Sequence, residues 1–391
     1  MMNLDFSGNK DKVAIVCVGY NRIKSLSRLL NSLLCAEYPN NDIPLVISID
    51  CSGDQSLYNY VREFKWPYGN KYVNIQEVRL GLKNHIYQCG DLTKYFKAII
   101  LLEDDLVVSP VFYSYVLQSL KVYSEEPRIA EISLYKNERN GYVGLPFVNE
   151  QNGSDVFLMQ DVSTWGECWT KQMWNEFTAW RDSHSEEDIQ NVDMPSRIKG
   201  WTRAWSKYYN AYVVSTGKYV LYPNVSLSTN FSDAGEHGDT NPSVVQVNLQ
   251  QSDFVYRMLP FSDLVKYDIY FNNELLYELL KIDRKDLCLD LYGFHDNVRN
   301  CRYVLSTKRL PYTHIAGYAL HMRPLELNIK YDITGNDIIL YDTKVPATKE
   351  RAGSYTSSVV PYFLAGFDIH LLFAHIKKVV IKTLKRKVGL K

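Results

Sequence analysis

Three adjacent carboxylates, Glu103, Asp104 and Asp105, come directly after the apolar run Ala98–Leu102, and apolar chain resumes at Leu106. Carboxylates this close repel one another, and a buried charge without a partner is costly, so a cation or a ring of hydrogen-bond donors is expected beside them. Hard Mg²⁺ or Mn²⁺ takes one or two carboxylates together with the phosphate oxygens of a substrate. Asp104 or Asp105 could therefore clamp a metal ion on a diphosphate leaving group. The simpler alternative is a strand that runs out into a solvated acidic turn.

Two further polar segments follow apolar runs. Gly19–Arg22 comes after Val13–Val18, and Asp50–Asp54 comes after Leu45–Ile49. Continuous apolar runs are typical of strands that are buried on both faces of a parallel sheet. Because ligands of such sheets bind outside the carboxyl ends of the strands, the polar segments are expected to line one crevice.

The segments between these runs predict how the crevice is positioned. A helix over Ile23–Leu34 would place on one face Leu26, Leu29, Leu30, Leu33 and Leu34. Another helical segment, a short strand at Val73–Val78 and a further helix precede the acidic strand. This alternation predicts an α/β domain with right-handed crossovers. The turn at Gly19–Lys24 lacks both glycine-rich phosphate motifs, so the charge of any phosphate must be met in another way.

Composition excludes some classes of protein. The 391 residues are 46% apolar with a formal net charge of zero, which argues against a nucleic-acid binder. The N-terminal residues lack the pattern of a signal peptide, and no stretch approaches the roughly 18 apolar residues of a membrane span. Seven scattered cysteines indicate a reducing compartment without a disulfide framework or a zinc site. We therefore expect a cytoplasmic protein.

Four segments together resemble the donor-binding half of GT-A glycosyltransferases: VAIVCVGYNR, VISIDCSGD, RLGLKNHI and LLEDDLVVSP. The acidic segment is especially similar to that of the N-acetylglucosaminyltransferase I type and of bacterial transferases that build capsule or O-antigen polysaccharide. The likeness continues through a Trp-Gly segment at 161–174 and a Trp-rich segment at 200–238, and covers most of residues 12–240. It implies the Rossmann-like GT-A fold and a UDP-sugar donor.

The resemblance also implies roles for single residues. The residues it assigns to the donor are Val18, Gly19, Tyr20, Asn21, Arg22, Asp50, Arg79, Gly81, Asn84, Glu103, Asp104, Trp165 and Gly166. Within this set the first five would cradle the uridine, Asp50 would accept a hydrogen bond from the uracil ring, and Glu103 and Asp104 would face the ribose and the sugar. Asp105 would bind the Mn²⁺ or Mg²⁺ ion, and His237 would be a second ligand of the metal or a ligand of the diphosphate. Two simpler roles stay open, an Asx-turn for Asp50 and a surface loop for His237.

A catalytic base is harder to place. An inverting transferase needs a carboxylate within hydrogen-bond reach of the acceptor hydroxyl. The Trp-rich segment KGWTRAW, where related enzymes have an acid nearby, contains none. Asp193, just upstream, ranks first, followed by Asp233 and Glu236, and a retaining mechanism without such a base stays open.

The chain is expected to have three parts: a GT-A domain over 1–260, a smaller α+β region over 261–366 and a basic amphipathic helix over 367–391. The apolar face of that helix is formed by Ile369, Leu372, Phe373, Ile376, Val380 and Leu384. The remaining arc carries Lys377, Lys378, Lys382, Lys385, Arg386 and Lys387. Such a helix lies in the plane of an anionic membrane surface, unless it packs on the core of its own protein.

These features together predict a metal-dependent hexosyltransferase that is peripheral to the inner face of the cell membrane. It would transfer a hexose or N-acetylhexosamine from a UDP-sugar to a growing polysaccharide, with an acceptor carried on a polyprenyl diphosphate lipid. Two alternatives are a sugar-1-phosphate nucleotidyltransferase and a non-catalytic glycan-binding protein. The sequence leaves open whether the protein forms a homodimer.

Overall fold

The computed structural model describes residues 4–233, 244–296, 298–347, 357–366 and 368–387, with the backbone alone at 299, 372, 382, 383 and 385–387. The strands are β1 Val13–Gly19, β2 Leu45–Ile49, β3 Lys71–Ile75, β4 Ala98–Glu103, β5 Leu106–Val108, β6 Ile129–Ser133, β7 Arg139–Asn140, β8 Leu145–Pro146, β9 Val156–Met159, β10 Glu167–Thr170, β11 Tyr219–Pro223, β12 Ser228–Asn230, β13 Lys266–Tyr267, β14 Leu287–Asp290, β15 Tyr303–Ser306, β16 Tyr312–Tyr318 and β17 Ile338–Pro346. The helices are α1 Ile23–Leu34, α2 Gln55–Glu63, α3 Leu82–Gly90, α4 Phe112–Tyr123, α5 Lys171–Ser183, α6 Glu186–Asn191, α7 Ser196–Lys199, α8 Trp205–Ser215, α9 Leu275–Leu280, α10 Leu327–Lys330, α11 Val359–Leu364 and α12 Ile369–Lys387.

The chain divides into two compact units. The first contains Met1–Tyr142 and Phe147–Lys281, and the second contains Val143–Pro146 and Ile282–Lys391. The main boundary therefore lies at residue 281 rather than at the predicted residue 260. The physical reason is that β13 pairs in parallel with β9, which adds this segment to the sheet of the first unit.

A nine-stranded sheet forms the centre of the first unit, in the order β13-β9-β11-β6-β10-β4-β1-β2-β3. The four strands β4, β1, β2 and β3 run parallel to one another, whereas β10 is antiparallel to both of its neighbours, β4 and β6. The predicted α/β class is confirmed, as a mixed sheet rich in parallel pairs.

The order of the parallel strands determines where a ligand site can form. From β1 the chain proceeds to β2 and β3 on one side, and then returns to place β4 on the other side. The crevice of an open α/β sheet lies at this reversal, outside the carboxyl ends of the strands. Val18 near the end of β1 is directly opposite Glu103 at the end of β4, so two of the polar segments start side by side.

Burial explains why the sequence forms these elements. Every residue of β1 and β2 is buried, as their predominantly apolar composition predicts. Helix α1 buries four of the five predicted leucines, Leu26, Leu29, Leu30 and Leu33. The core under the site also contains a cluster of large aromatic side chains, Trp169, Trp174, Trp205 and Tyr209, all fully buried.

The second unit has its own small sheet, in the order β14-β15-β17-β16, with the first pair parallel and the others antiparallel. A core cluster of Cys288, Val304, Ile339 and Tyr341 packs on this sheet. Among the described residues, none of the helices is both long enough and apolar enough to span a bilayer.

Candidate active site

A cavity of about 590 Å³ lies at the carboxyl ends of the parallel strands in the first unit. Small-molecule sites typically occupy roughly 300–1,000 Å³, so a nucleotide sugar is within range. The residues that line it are Val18, Gly19, Tyr20, Asn21, Arg22, Asp50, Arg79, Gly81, Leu82, His85, Glu103, Asp104, Asp105, Thr164, Trp165, Arg203, Ala204, Trp205, Ser206, Asn230, Ser232, Asp233, Val244 and Val245. The predicted meeting of the three strand-end segments in one crevice is thus observed.

The acidic turn between β4 and β5 is held by a guanidinium group. Arg22 donates to both carboxylate oxygens of Asp104 and, from Nη2, to Asp105 Oδ2 at 3.2 Å. The other oxygen of Asp105 accepts from Asn230 Nδ2 at 3.2 Å. Burial raises the pKa of Asp104 to about 6, although the positive charge of Arg22 opposes the rise. The cation that the clustered carboxylates require is therefore supplied within the chain.

Half-buried Glu103 begins a series of three carboxyl groups, of which the other two, Glu167 and Glu131, are fully buried. Glu167 on β10 is opposite Leu101 and also opposite Ser133, so Glu103, Glu167 and Glu131 lie on one face of the sheet. Burial, followed by repulsion from Asp105 and Asp104, raises the pKa of Glu103. Burial raises the pKa of Glu167 and Glu131 as well. Only one oxygen of Glu131 has a partner among the described residues, the indole N–H of Trp169 at 3.0 Å.

Asp50 shapes the cavity through the backbone. Its Oδ1 accepts from the N–H groups of Cys51 and Leu80 at 2.9 and 2.8 Å, and its Oδ2 accepts from the N–H of Gly81 at 2.9 Å. Gly81 has φ +73°, a conformation that L-residues rarely adopt. The carboxylate thus ties the loop before α3 to the end of β2. Because Oδ2 accepts only one of these bonds, it can still accept another donor.

A buried histidine completes this side of the cavity. His85 on α3 contacts Ser48 Oγ through Nε2 at 2.7 Å, and Asn74 donates to the same hydroxyl at 3.3 Å. Burial lowers the pKa of His85 to about 4, so the imidazole is neutral at physiological pH. The sequence does not identify His85 as a site residue, because only its place in the first turns of α3 brings it to the cavity.

Aromatic rings form part of the wall. Trp165 packs edge-on against Tyr135 with ring centroids 4.5 Å apart, and Trp205 packs edge-on against Trp169 at 5.6 Å. Tyr20 lies under the guanidinium of Arg79, 4.8 Å from the ring centroid. Flat apolar faces of this kind suit a base or a sugar ring.

Some predicted site residues are placed elsewhere. Gly166 does not line the cavity. It has φ +103°, and a Cβ there would be 3.0 Å from Leu134 Cβ. Asn84 is also absent from the lining and donates to the carbonyl of Leu80 at 3.1 Å. Their assignment to the donor therefore stays a prediction from the sequence.

Two of the three candidate bases, Asp193 and Asp233, lie within the described residues. Asp193, which ranked first, is outside the lining and accepts from the hydroxyl of Tyr270 at 3.1 Å. Asp233 lines the cavity, where it is held by Arg28 and by Ser25 Oγ at 2.7 Å. Burial would raise the pKa of Asp233, but the bonds from Arg28 and Ser25 outweigh it and lower the pKa. Glu236 and the proposed metal ligand His237 lie outside the described residues.

The described residues do not assemble a metal site. Nowhere in the described ranges do three His, Cys, Asp or Glu side chains form a group that could hold a metal ion. All four oxygens of Asp104 and Asp105 accept hydrogen bonds from Arg22 or Asn230. As they stand, these two carboxylates fit a guanidinium group and an amide rather than a divalent cation.

Several lining residues were missed although their segment had been singled out. The Trp-rich segment contains no acid that could act as the base, but it contributes Arg203, Trp205 and Ser206 to the cavity. The signal that could have identified them is an uncapped helix start. The N-cap residue of α8 is Ala204, where Ser, Thr, Asp or Asn would be usual. Asn230, on β12, reaches Asp105 because β12 pairs with β5.

Comparison with known proteins yields structural matches alone. No family model matches the chain, and no curated protein matches its sequence. Solved structures similar to it include TarS 1-349 of S. aureus in complex with UDP-GlcNAc, with 14% identity, 58% of this chain and 60% of that chain covered, and a TM-score of 0.38. The mannosyltransferase PcManGT of Pyrobaculum calidifontis with GDP-Man and Mn²⁺ has 12% identity, coverage of 56% and 58%, and a TM-score of 0.34.

A third similar structure is GalNAc-T7 with UDP, GalNAc and Mn²⁺, at 13% identity, coverage of 56% and 43%, and a TM-score of 0.37. All three are glycosyltransferases, the class that the sequence resembles. The chain matches less than two thirds of the length of each of them. Since every TM-score is below 0.5, the function proposed below depends on the residues of the site.

Proposed function

We propose that the chain is a glycosyltransferase that moves a hexose or N-acetylhexosamine from a UDP-sugar to a hydroxyl group of a growing glycan. The observation that carries the proposal is the single cavity at the strand reversal, which combines arginine, carboxylate and indole side chains in a volume of about 590 Å³. Nucleotide sugars require all three kinds of group, for the diphosphate, the hydroxyls and the rings.

The donor's nucleoside is assigned to the side formed by β1, β2 and the loop before α3. The ring of Tyr20 under Arg79 offers a flat surface for the uracil, and Asp50 Oδ2 has capacity for one more donor such as the uracil N–H. The sugar is assigned to the indole of Trp165, which is partly exposed and lines the cavity. This orientation is supported by the sequence resemblance, which places the same segments around uridine and sugar.

A direct transfer needs a carboxylate that accepts the proton of the attacking hydroxyl. Of the two base candidates within the described residues, Asp233 lines the cavity and Asp193 does not, and the lowered pKa of Asp233 keeps it ionised at neutral pH. The acceptor oxygen gives its proton to this carboxylate and forms a bond to the anomeric carbon. The bond from that carbon to the diphosphate breaks, and its electron pair leaves with UDP.

A divalent cation held by Asp105 and His237 stays a prediction from the sequence. No step above depends on it, because the described carboxylates bind Arg22 and Asn230 instead. The cation would require Arg22 to release Asp105. UDP binding measured in Mn²⁺ and in EDTA tests this assignment directly.

The acceptor is proposed to be carried on a polyprenyl diphosphate lipid, with α12 bringing the enzyme to the membrane. The apolar side chains Ile369, Phe373, Ile376 and Leu384 are all more than half exposed, which disfavours the alternative of a helix packed on its own core. Lys377 and Lys378 are exposed on the same helix. An exposed apolar face beside basic groups complements an anionic lipid surface.

The test is UDP release by the purified full-length chain with a panel of UDP-sugars and glycan acceptors, in Mn²⁺ and in EDTA. We expect release with one donor and a marked increase when its acceptor is added. Pyrophosphate release from UTP and a sugar 1-phosphate would indicate the nucleotidyltransferase instead. Failure of every UDP-sugar to react or to raise the melting temperature would contradict the proposal.

A further inference from the structure

Three helices begin at the cavity. Five residues at the starts of α3 and α8 line the cavity. They are Gly81 and Leu82 for α3, and Ala204, Trp205 and Ser206 for α8. Gly19–Arg22, which leads into α1, lines it too. The helices contain 12, 9 and 11 residues for α1, α3 and α8. This convergence concerns the donor site proposed above, and the inference below rests on that proposed function.

None of these three helices has a side-chain cap or an acidic residue in its first turn. By contrast, α2 and α5 are capped by Asp54 and Thr170. An uncapped start is not unusual by itself, since α4 also has one. What distinguishes α1, α3 and α8 is that their free first-turn N–H groups and positive dipole ends meet at one cavity.

The starts of α3 and α8 are neighbours. Lys83, the second residue of α3, has its Nζ 4.9 Å from the ring centroid of Tyr208, which lies in the first turn of α8. This side-chain contact places the two helix starts beside each other, and both line the cavity, so their positive ends face the same space. An anion between them would receive hydrogen bonds from both.

Ser206 points independently to a ligand. Its residue is only 7% exposed and lines the cavity, yet no described residue forms a hydrogen bond with its hydroxyl. A hydroxyl that lines a cavity and has no protein partner is available to a ligand as donor or acceptor. Arg203 also lines the cavity, and no described carboxylate pairs with it, whereas Arg22 is occupied by Asp104 and Asp105.

We propose that the diphosphate of the nucleotide-sugar donor binds at the N-termini of α3 and α8, with Ser206 and Arg203 as further donors, and that this binding requires no divalent cation. Backbone N–H groups, a hydroxyl and a guanidinium together provide the positive potential that a glycine-rich loop or a metal ion provides elsewhere. The site accounts for two observations at once, the absence of glycine-rich phosphate motifs and the engagement of Asp104 and Asp105 by Arg22.

Calorimetric titration of the full-length chain in EDTA tests the proposal, with UDP, uridine and inorganic pyrophosphate as probes. The wild type is expected to bind UDP at least about tenfold more tightly than uridine, since charged hydrogen bonds are formed with UDP alone. Ser206→Asp, which adds a negative charge to the first turn of α8, should remove most of this difference without changing uridine affinity. Ser206→Ala and Arg203→Gln should each reduce UDP affinity by a smaller factor and weaken pyrophosphate binding.

The matched controls are Gln172→Asp, at the second position of the capped helix α5, and Arg62→Gln on α2, and both should bind UDP as the wild type does. The proposal would be overturned if UDP and uridine bound with equal affinity in EDTA and the affinity for UDP rose only when Mn²⁺ was added. A second result would also overturn it: Ser206→Asp keeps its UDP affinity, but its UDP-saturated form no longer binds pyrophosphate. That result would assign the anion site to the acceptor. Variant-sensitive pyrophosphate binding without turnover of any UDP-sugar would support the anion site and contradict the glycosyltransferase function.

Discussion

Arg22 and Asp104 form a nearly buried pair at the centre of the cavity. The side chain of Asp104 is 5% exposed and that of Arg22 is 22% exposed, and the guanidinium donates to both oxygens of the carboxylate. The pair joins the start of α1 to the acidic turn after β4, which are 82 residues apart in the chain. Its positive charge offsets part of the repulsion among the three adjacent carboxylates Glu103, Asp104 and Asp105.

The first prediction concerns this pair. Arg22→Gln leaves Asp104 buried without its partner, and breaking a buried pair in this way typically lowers the free energy of unfolding by about 3 kcal/mol or more. Arg62→Gln, an exposed position on α2, should change it by no more than about 0.5 kcal/mol. Urea unfolding measures both.

The double variant Arg22→Gln/Asp104→Asn separates a lost pair from lost packing. Because it removes both charges, it should recover part of the stability that Arg22→Gln loses. A double variant less stable than either single variant would show that the guanidinium stabilises the fold through other contacts.

The second prediction concerns the loop before α3. Asp50→Ala removes the acceptor for three backbone N–H groups, and each unsatisfied group costs about 1 kcal/mol or more. Amide hydrogen exchange of residues 80–84 should become faster, and UDP affinity should fall. Asp54→Ala, which removes the cap of α2 outside the cavity, is expected to leave exchange at 80–84 and UDP affinity unchanged.

A third prediction follows from the buried carboxyl groups Glu131 and Glu167. Their pKa values are raised by burial, so the folded state binds more protons than the unfolded state at any pH between the unfolded and folded values. The free energy of unfolding should therefore fall as pH rises above about 4.5, the ordinary range for glutamate. Glu167→Gln should flatten this dependence, whereas Glu125→Gln, at an exposed position, should leave its slope intact.

The fourth prediction separates the base candidates. Asp233→Asn should lower kcat by roughly 10²–10⁴-fold with a modest change in the KM for the donor, as the loss of a general base does. Asp193→Asn, outside the cavity lining, should retain near-wild-type kcat. The opposite result would restore Asp193 as the base and require a rearrangement around Tyr270.

The fifth prediction concerns α12. Deleting residues 367–391 should abolish flotation with anionic liposomes and reduce transfer to a lipid-linked acceptor, while transfer to a water-soluble analogue persists. Replacing Lys377, Lys378, Lys382 and Lys385 with Glu should have the same effect, since each basic group near an anionic surface contributes about 1 kcal/mol. High salt should partly release the intact protein from the liposomes. Equal flotation of the full-length and shortened chains would exclude this role.

The local pattern of the sequence was sufficient for the strands and for the convergence of their ends. Predominantly apolar runs at β1, β2 and β4 determine burial on both faces, and burial with helical crossovers favours a parallel sheet. The polar residues that follow each run then share one edge. Asp50, Arg22 and the acidic turn were therefore placed at the cavity from sequence alone.

Only the tertiary structure decided how these side chains are partnered. The pairing of Arg22 with Asp104, of Asn230 with Asp105 and of Asp50 with the amides before α3 joins residues far apart in the chain. The same is true of the start of α8, which reaches the cavity through the packing of α8 beside α3. Periodicity determines which face of an element is buried, but hydrogen-bond partners depend on the approach of separate elements in space, and that information is absent from local spacing.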